Sequence, residues 1–122
     1  AVLFSADGLP ASYVRQGDPY LDDVRTTVAA LERVHPLGGR AHLGFRRPVA
    51  DGHPVGPSVH EALVAIARAG HRAVVACSLT STGEDLATLQ QIDIVDRRVA
   101  AGLGITTFAR AAAVGLHPAF IE

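Results

Sequence analysis

The chain has 122 residues, of which 11 are basic and 12 acidic, and its formal charge is −1 at pH 7. This length suits one domain, and an apolar fraction of 48% is enough for a packed core. The balanced charge argues against a nucleic-acid binder that depends on a basic face. Because Cys77 is the single cysteine, an internal disulfide framework and a cysteine-rich zinc site are excluded. We expect a single domain over residues 1–122.

The chain has no apolar run near the ~20 residues that a membrane span requires. Its first residues lack the basic region of a signal peptide. We therefore expect a soluble protein from a reducing compartment, which is either the bacterial cytoplasm or the mitochondrial matrix.

The first half of the chain predicts two strands that flank a helix. Residues 1–5 form an apolar run that ends in a polar turn, which is typical of a buried strand. Asp18 and Pro19 predict a helix start, with Asp as the N-cap and Pro at the first helical position. Apolar residues at helical spacing extend this helix to about Val34. A second strand over 40–45 and a Gly- and Pro-rich loop over 46–57 follow.

The second half continues this alternation. Ser58 and Glu61 form a capping box, which predicts a helix through residue 69. Residues 73–77 have the composition of a central parallel strand. A third helix is predicted from about residue 83 to residue 102, then a strand over 105–108 and a short helix at the end of the chain. In the third helix we expect four side chains to point into the core: Leu86, Leu89, Ile92 and Val99.

Alternating strands and helices predict an α/β fold, a three-layer, doubly wound parallel sheet of the flavodoxin-like type with helices on both faces. Ligands of such sheets bind beyond the carboxyl ends of the strands. Those ends are residues 5–10, 46–57, 78–84 and 110–118. The chain has no phosphate loop, dinucleotide fingerprint or Gly-x-Ser-x-Gly elbow, and no histidine pair at zinc-ligand spacing on a helix.

Four separated motifs nevertheless share one family pattern. Residues 3–10 read L-F-S-A-D-G-L-P and are followed by Y-V at 13–14 and G-D-P-Y at 17–20. G-P-S stands at 56–58, T-L-Q-Q-I-D-I at 88–94 and H-P-A-F-I-E at 117–122. In order and spacing they resemble the C-terminal half of ferrochelatase, which usually reads L-F-S-A-H-G-L-P, G-P-S, E-T-L-x-E-I-D-I-E and H-P-x-F-I-E. The resemblance spans essentially the whole chain.

This resemblance implies a class II chelatase half-domain, which faces a second half across a porphyrin cleft. Members of the family insert ferrous iron into a porphyrin in haem biosynthesis, so the implied ligands are a porphyrin or haem and a divalent metal. Since the resemblance covers only the C-terminal half of the family, we expect a homodimer or a partner chain to supply the other half. Membership in a larger assembly is a further expectation.

The departures from the family pattern fall on its chemistry. The family is understood to move the pyrrole protons with the His of S-A-H-G-L-P and the Glu of H-x-E-T-L. Asp7 stands at the first position, Ala87 at the second, and Asp85 at the His of the second motif, while Glu84 keeps an acidic residue nearby. Aspartate is a much poorer base near neutral pH than histidine, with ordinary pKa values near ~4 and ~6.5. Alanine cannot transfer a proton.

Two groups of residues are candidates for binding. Asp7, Glu84 and Asp85 lie at strand ends, where they could converge on a hard cation, or could only cap helices and meet solvent. The second group belongs to the predicted 46–57 loop and its border. Phe45 would stack on a macrocycle or pack in the core. Arg46, Arg47 and His53 would bind propionates and a porphyrin-bound metal, or be ordinary loop residues.

Three hypotheses follow. The leading one is a ferrochelatase-like domain that has lost ordinary catalysis and acts as an accessory or structural subunit or as a tetrapyrrole-binding module. The alternative is an active chelatase that inserts a divalent metal using Asp7, Glu84 and Asp85. In the third, the domain is purely structural and its old cleft is filled.

Overall fold

The computed structural model describes residues 1–46 and 55–121. Within these ranges strands and helices alternate in chain order, and the helical stretch after the third strand contains π-helical turns. The elements are β1 (Val2–Ala6), α1 (Ala11–Arg15), α2 (Tyr20–Val34), β2 (Ala41–Phe45), α3 (Val59–Arg68), β3 (Ala73–Ser78), α4 (Leu86–Leu89), π-helical turns (Gln90–Asp96), α5 (Arg97–Gly102), β4 (Thr107–Arg110) and α6 (Pro118–Ile121). None of the described helices has the length and apolar character that a membrane crossing requires.

The four strands form an all-parallel sheet in the order β2-β1-β3-β4. Val2 of β1 is in register with Ala41 of β2 on one side and Val75 of β3 on the other. The predicted parallel α/β fold is therefore confirmed. In sheets of this order the second strand is added on one side of β1 and the third on the other side. The switch point between β1 and β3 is where ligands usually bind.

One face of the sheet is covered by α3 and by the helical stretch from α4 to α5. Leu63 and Ile66 of α3 and Ile92 of the π-helical turns are 0% exposed, and they belong to one core cluster. The predicted capping box begins α3: the Ser58 hydroxyl accepts from Glu61 N–H at 3.0 Å, and the Glu61 carboxylate accepts from Ser58 N–H at 2.7 Å. Local sequence signals thus place α3 against the sheet.

Gly44 sets how closely α3 approaches the sheet. A Cβ at this position would lie 2.7 Å from Val59 Cα and 3.1 Å from Val59 N. These distances are too short for a side chain, so the glycine lets the backbones of β2 and α3 meet. The end of β2 and the start of α3 are therefore held together.

The opposite face is covered over β1 and β2 by α2, whose Val24 packs with Ala6 and Phe45. Helix α2 begins one residue later than predicted, with Pro19 at the N-cap and Tyr20 as the first helical residue, while the Asp18 carboxylate accepts from Tyr20 N–H at 2.9 Å. Towards β3 and β4 this face lacks a covering helix within the described ranges, and Val75 is 43% exposed. The predicted layer of helices is thus confirmed on the first face of the sheet and only in part on the second.

Three further details differ from the sequence expectations. Helix α1 was not predicted, and the last strand lies two residues later than expected. In the third helix Ile92 is buried, but Leu86 is 80% exposed, so the expected inward direction of Leu86 is wrong. Leu86 begins the first turn, and the wider π-helical turns then rotate the following residues away from a 3.6-residue period.

Candidate functional site

An open cavity of about 630 Å³ lies beyond the carboxyl ends of β1 and β2, between α3 and the helical stretch that follows β3. Its wall is mostly apolar, and its polar side chains come from strand ends and helices. The lining residues are Asp7, Phe45, Arg46, Val59, His60, Leu63, Ala87, Gln91, Val95, Asp96 and Val99. The position agrees with the edge at which the sequence predicts ligand binding.

Arg46 follows β2 directly and places a cation on the cavity wall. Its backbone N–H donates to Ala6 O at 2.8 Å, which continues the pairing of β1 and β2. The guanidinium donates to Ser5 Oγ at 3.2 Å and to Thr88 Oγ1 at 3.5 Å, and lies 3.7 Å from Asp7 Oδ1. Its Nη2 is buried without a hydrogen-bond partner among the described residues. Arg46 therefore keeps donor capacity for a bound carboxylate.

Asp7 follows β1 and is fixed through its backbone. Its N–H donates to Thr80 Oγ1 at 3.1 Å, and its carbonyl oxygen accepts from the Tyr20 hydroxyl at 2.6 Å. Burial and the Asp7 charge raise the pKa of Tyr20, so the phenol stays protonated as the donor. The Asp7 side chain itself is 63% exposed. The loop after β1 is thus anchored while its carboxylate meets solvent and Arg46.

Glu84 and Asp85 have local partners away from this cavity. Glu84 Oε1 accepts from Arg110 Nη1 at 2.8 Å, and this hydrogen bond is the main reason that the pKa of Glu84 is lowered. Asp85 Oδ1 accepts from Thr88 N–H at 2.7 Å and caps α4, which lowers the pKa of Asp85. The capping interpretation therefore holds for Asp85.

These carboxylates do not assemble into a metal centre. In residues 1–46 and 55–121, no group of three or more His, Cys, Asp or Glu side chains could hold a metal ion. The expected convergence of Asp7, Glu84 and Asp85 is therefore absent. A metal-binding role for any one of them stays a prediction without geometric support.

The structure does bring together the two positions that correspond to the proton-handling His and Glu of the family pattern. Asp7 and Ala87 line the same cavity, one from the end of β1 and the other from α4. Phe45 also reaches this cavity, but it is 1% exposed and packs in the cluster under α2, which favours the core interpretation. Arg47 and His53 lie outside the described residues.

Sequence reasoning missed the polar residues of the π-helical turns. Asp96 is 4% exposed, and its Oδ1 accepts from Gln91 Nε2 at 2.9 Å. Burial raises the pKa of Asp96. These two residues are five apart, which is the hydrogen-bonding interval of a π-helix and explains why they meet on one side. The available signal was that Asp96 stands four residues after Ile92 and three before Val99, at the spacing of the apolar stripe.

Cys77 lines a second, smaller cavity of about 270 Å³ beyond the ends of β3 and β4. The thiol is free and half-buried, and burial raises its pKa. A raised pKa disfavours the thiolate, which is the reactive form. The Cys77 thiol is therefore in a weakly reactive environment.

Comparison with known proteins gives a consistent result. A family model described as ferrochelatase matches residues 1–122. The chain is 35% identical to a ferrochelatase of Thermosynechococcus vestitus, with 99% of this chain and 31% of that protein aligned. It is 32% identical to a ferrochelatase of Picosynechococcus (99% and 32% covered) and 31% identical to one of Citrifermentans bemidjiense (99% and 38% covered). The chain thus spans about a third of the length of these curated relatives.

Proposed function

The chain belongs to the ferrochelatase family, and we propose that it is a tetrapyrrole-binding domain that has lost ordinary metal-insertion chemistry. Its role in haem biosynthesis would be that of an accessory or structural subunit or a binding module. One observation carries this proposal. Asp7 and Ala87, which stand where the family resemblance places the proton-handling His and Glu, line the same cavity.

Metal insertion requires a base that removes the two pyrrole N–H protons. Asp7 is exposed and lies beside the Arg46 cation, while Ala87 carries no titratable group. The family motif E-T-L-x-E-I-D-I-E has further glutamates four and eight residues after the first. Those positions are Gln91 and Val95 here, and both face the cavity. The helical wall has therefore lost three acidic positions of the motif.

The remaining wall suits an apolar ring that carries carboxylates. A volume of about 630 Å³ lies in the range of small-molecule sites. Val59, Leu63 and Val99 supply apolar surface, and Arg46 supplies a cation with a spare Nη2. A guanidinium binds a carboxylate through paired hydrogen bonds, which supports propionate binding at Arg46.

The proposal includes a partner that completes the cleft. The outer side of the helical stretch beside the cavity is apolar and exposed, with Leu86 at 80% and Ile94 at 52% exposure. Such a strip marks a contact surface. A second copy or a separate chain would cover it, in a reducing compartment such as the bacterial cytoplasm or the mitochondrial matrix.

An active chelatase is the second candidate, because Asp7 does line the cavity. The other two carboxylates that this candidate requires already have partners away from the cavity, since Glu84 binds Arg110 and Asp85 caps α4. A purely structural domain is the third candidate, and it requires that no tetrapyrrole binds.

Titration with a metal-free dicarboxylate porphyrin, followed by porphyrin fluorescence, tests the binding function. The wild-type chain should bind, and Arg46→Gln should weaken binding about tenfold, because a charge-assisted hydrogen bond is lost from the wall. Arg98→Gln, an exposed arginine of α5, is the matched control and should leave binding unchanged. Absence of binding by the wild type would contradict the proposal.

Restoring the family residues tests the explanation for lost catalysis. The double variant Asp7→His with Ala87→Glu should insert zinc into the porphyrin faster than the wild-type chain. Each single variant serves as a control, because one proton acceptor alone should restore less. A double variant no faster than the wild type would show that these two positions do not explain the loss.

A further inference from the structure

Asp96 is the one buried carboxylate in the described ranges, with 4% exposure. Its Oδ1 is bound by Gln91 Nε2, and its Oδ2 is buried without a hydrogen-bond partner among the described residues. A polar atom withdrawn from water without a partner is costly, so it calls for an explanation such as a bound molecule. Asp96 lies on the cavity wall, where a bound molecule can supply the missing partner.

The charged and titratable groups around Asp96 do not satisfy it. Asp7, Arg46 and His60 line the same cavity, from β1, β2 and α3 respectively. The positive charge of Arg46 favours ionised Asp96, but no ion pair joins them within 4 Å, and burial dominates and raises the pKa of Asp96. Because Gln91 holds only Oδ1, Oδ2 is the oxygen that remains for a molecule bound in the cavity.

A metal ion is a poor partner for this oxygen, because no group of three ligating side chains exists among the described residues. A neutral nitrogen heterocycle is a better one. The centre of a metal-free tetrapyrrole carries both N–H donors and unprotonated imine nitrogens. The Asp96 carboxylate accepts from these N–H groups through Oδ2, which an amide NH2 in the same place cannot do. A ring that already holds a metal offers neither group, since all its nitrogens bind the metal.

Resting on the tetrapyrrole-binding function proposed above, we propose that Asp96 is a specificity-determining residue of this cavity, which selects a metal-free tetrapyrrole over its metal complex. Gln91 positions the carboxyl group by holding Oδ1, and this leaves Oδ2 for the ring nitrogens. The cavity would then retain the unmetallated ring and release the metallated one.

The test compares a metal-free dicarboxylate porphyrin with its nickel(II) complex. Nickel(II) in a porphyrin is square-planar, so the complex does not recruit a protein ligand, and its affinity is measured by competition against the fluorescent metal-free ring. The wild-type chain should prefer the metal-free ring at least tenfold. Asp96→Asn, which keeps an acceptor for Gln91, should weaken binding of that ring about tenfold and leave the nickel complex within twofold.

Asp22→Asn, an exposed aspartate in the first turn of α2, is the matched control and should leave both affinities unchanged. Equal wild-type affinities for the two rings would overturn the inference, and so would an equal loss of both in Asp96→Asn, which is the mark of a structural role. If Asp96→Asn does not unfold cooperatively, the ratio of the wild-type affinities for the metal-free ring and the nickel complex decides the inference. Absence of binding to either ring would instead contradict the proposed function.

Discussion

The carboxylates at the strand ends and the carboxylate on the π-helical turns differ in what surrounds them. Glu84 and Asp85 sit at the edge where parallel sheets bind ligands, yet each is engaged by a neighbour in the chain or on the next strand. Asp96 lies on a helix, buried, with one oxygen unsatisfied. Position at a ligand-binding edge therefore does not by itself leave a carboxylate free to bind a ligand.

The same contrast separates the two helical walls of the cavity. Helix α3 is fixed by a capping box and a buried apolar stripe, and it serves the framework. The stretch from α4 to α5 contains π-helical turns and exposes apolar residues. Turns of this kind are frequent at functional sites. Substitutions on the two walls can show whether the residues that stabilise the fold differ from those that bind the ligand.

The largest effect is expected from the core of α3. Ile66→Ala should lower the free energy of unfolding by about 2–5 kcal/mol, because it leaves a cavity in the buried cluster. Leu86→Ala is the matched control on the other wall, and with 80% exposure it should change stability by less than about 0.5 kcal/mol. Urea denaturation measures both, and similar costs would show that Leu86 is buried after all.

A smaller effect is expected where β2 meets α3. Gly44→Ala should lower the free energy of unfolding by about 1–3 kcal/mol, because its Cβ would lie 2.7 Å from the Val59 backbone. Gly102→Ala, in α5 with no atom within 4 Å of the new Cβ, should instead stabilise the protein by about 0.5–1 kcal/mol. Thermal melts of both variants check the signs, and a neutral Gly44→Ala would contradict the close approach.

The N-cap of α4 should contribute less to the free energy of unfolding than Ile66 or Gly44. Asp85→Ala removes the acceptor of Thr88 N–H and should lower the free energy of unfolding by less than Gly44→Ala does. Its effect on porphyrin affinity should be small, because Asp85 does not line the cavity. Urea denaturation and porphyrin titration of the same variant separate the two roles. A tenfold loss of porphyrin affinity at unchanged stability would show that Asp85 contributes to the binding site.

The smallest effect concerns the pH dependence of stability. Burial raises the pKa of Asp96 above its ordinary value of 3.8, so the folded state binds more protons than the unfolded state between these two values. The contribution of Asp96 to stability therefore falls as pH rises through this window. Asp96→Asn removes the titration, so the stability of the variant relative to the wild type should rise from pH 3.5 to pH 7. A constant difference across this range would contradict the raised pKa.

Much of the framework could be predicted because its signals are local. The Ser58 and Glu61 capping box, the Asp18 helix start and the apolar strand over 73–77 each depend on a few adjacent residues. The site could be predicted as far as the resemblance placed Asp7 and Ala87 in one cleft and the border of the 46–57 loop supplied Phe45 and Arg46. Asp96 could not be found in this way, because its burial depends on π-helical turns and on packing between distant elements.

Zinc insertion by the wild-type chain tests the central claim most directly. Zinc is added to the protein with a bound metal-free porphyrin, and the absorption spectrum of the zinc porphyrin is followed against a protein-free control. The account predicts that the porphyrin binds and that zinc enters no faster than in the control. Binding followed by insertion clearly faster than in the control would make the chain an active chelatase and contradict the account.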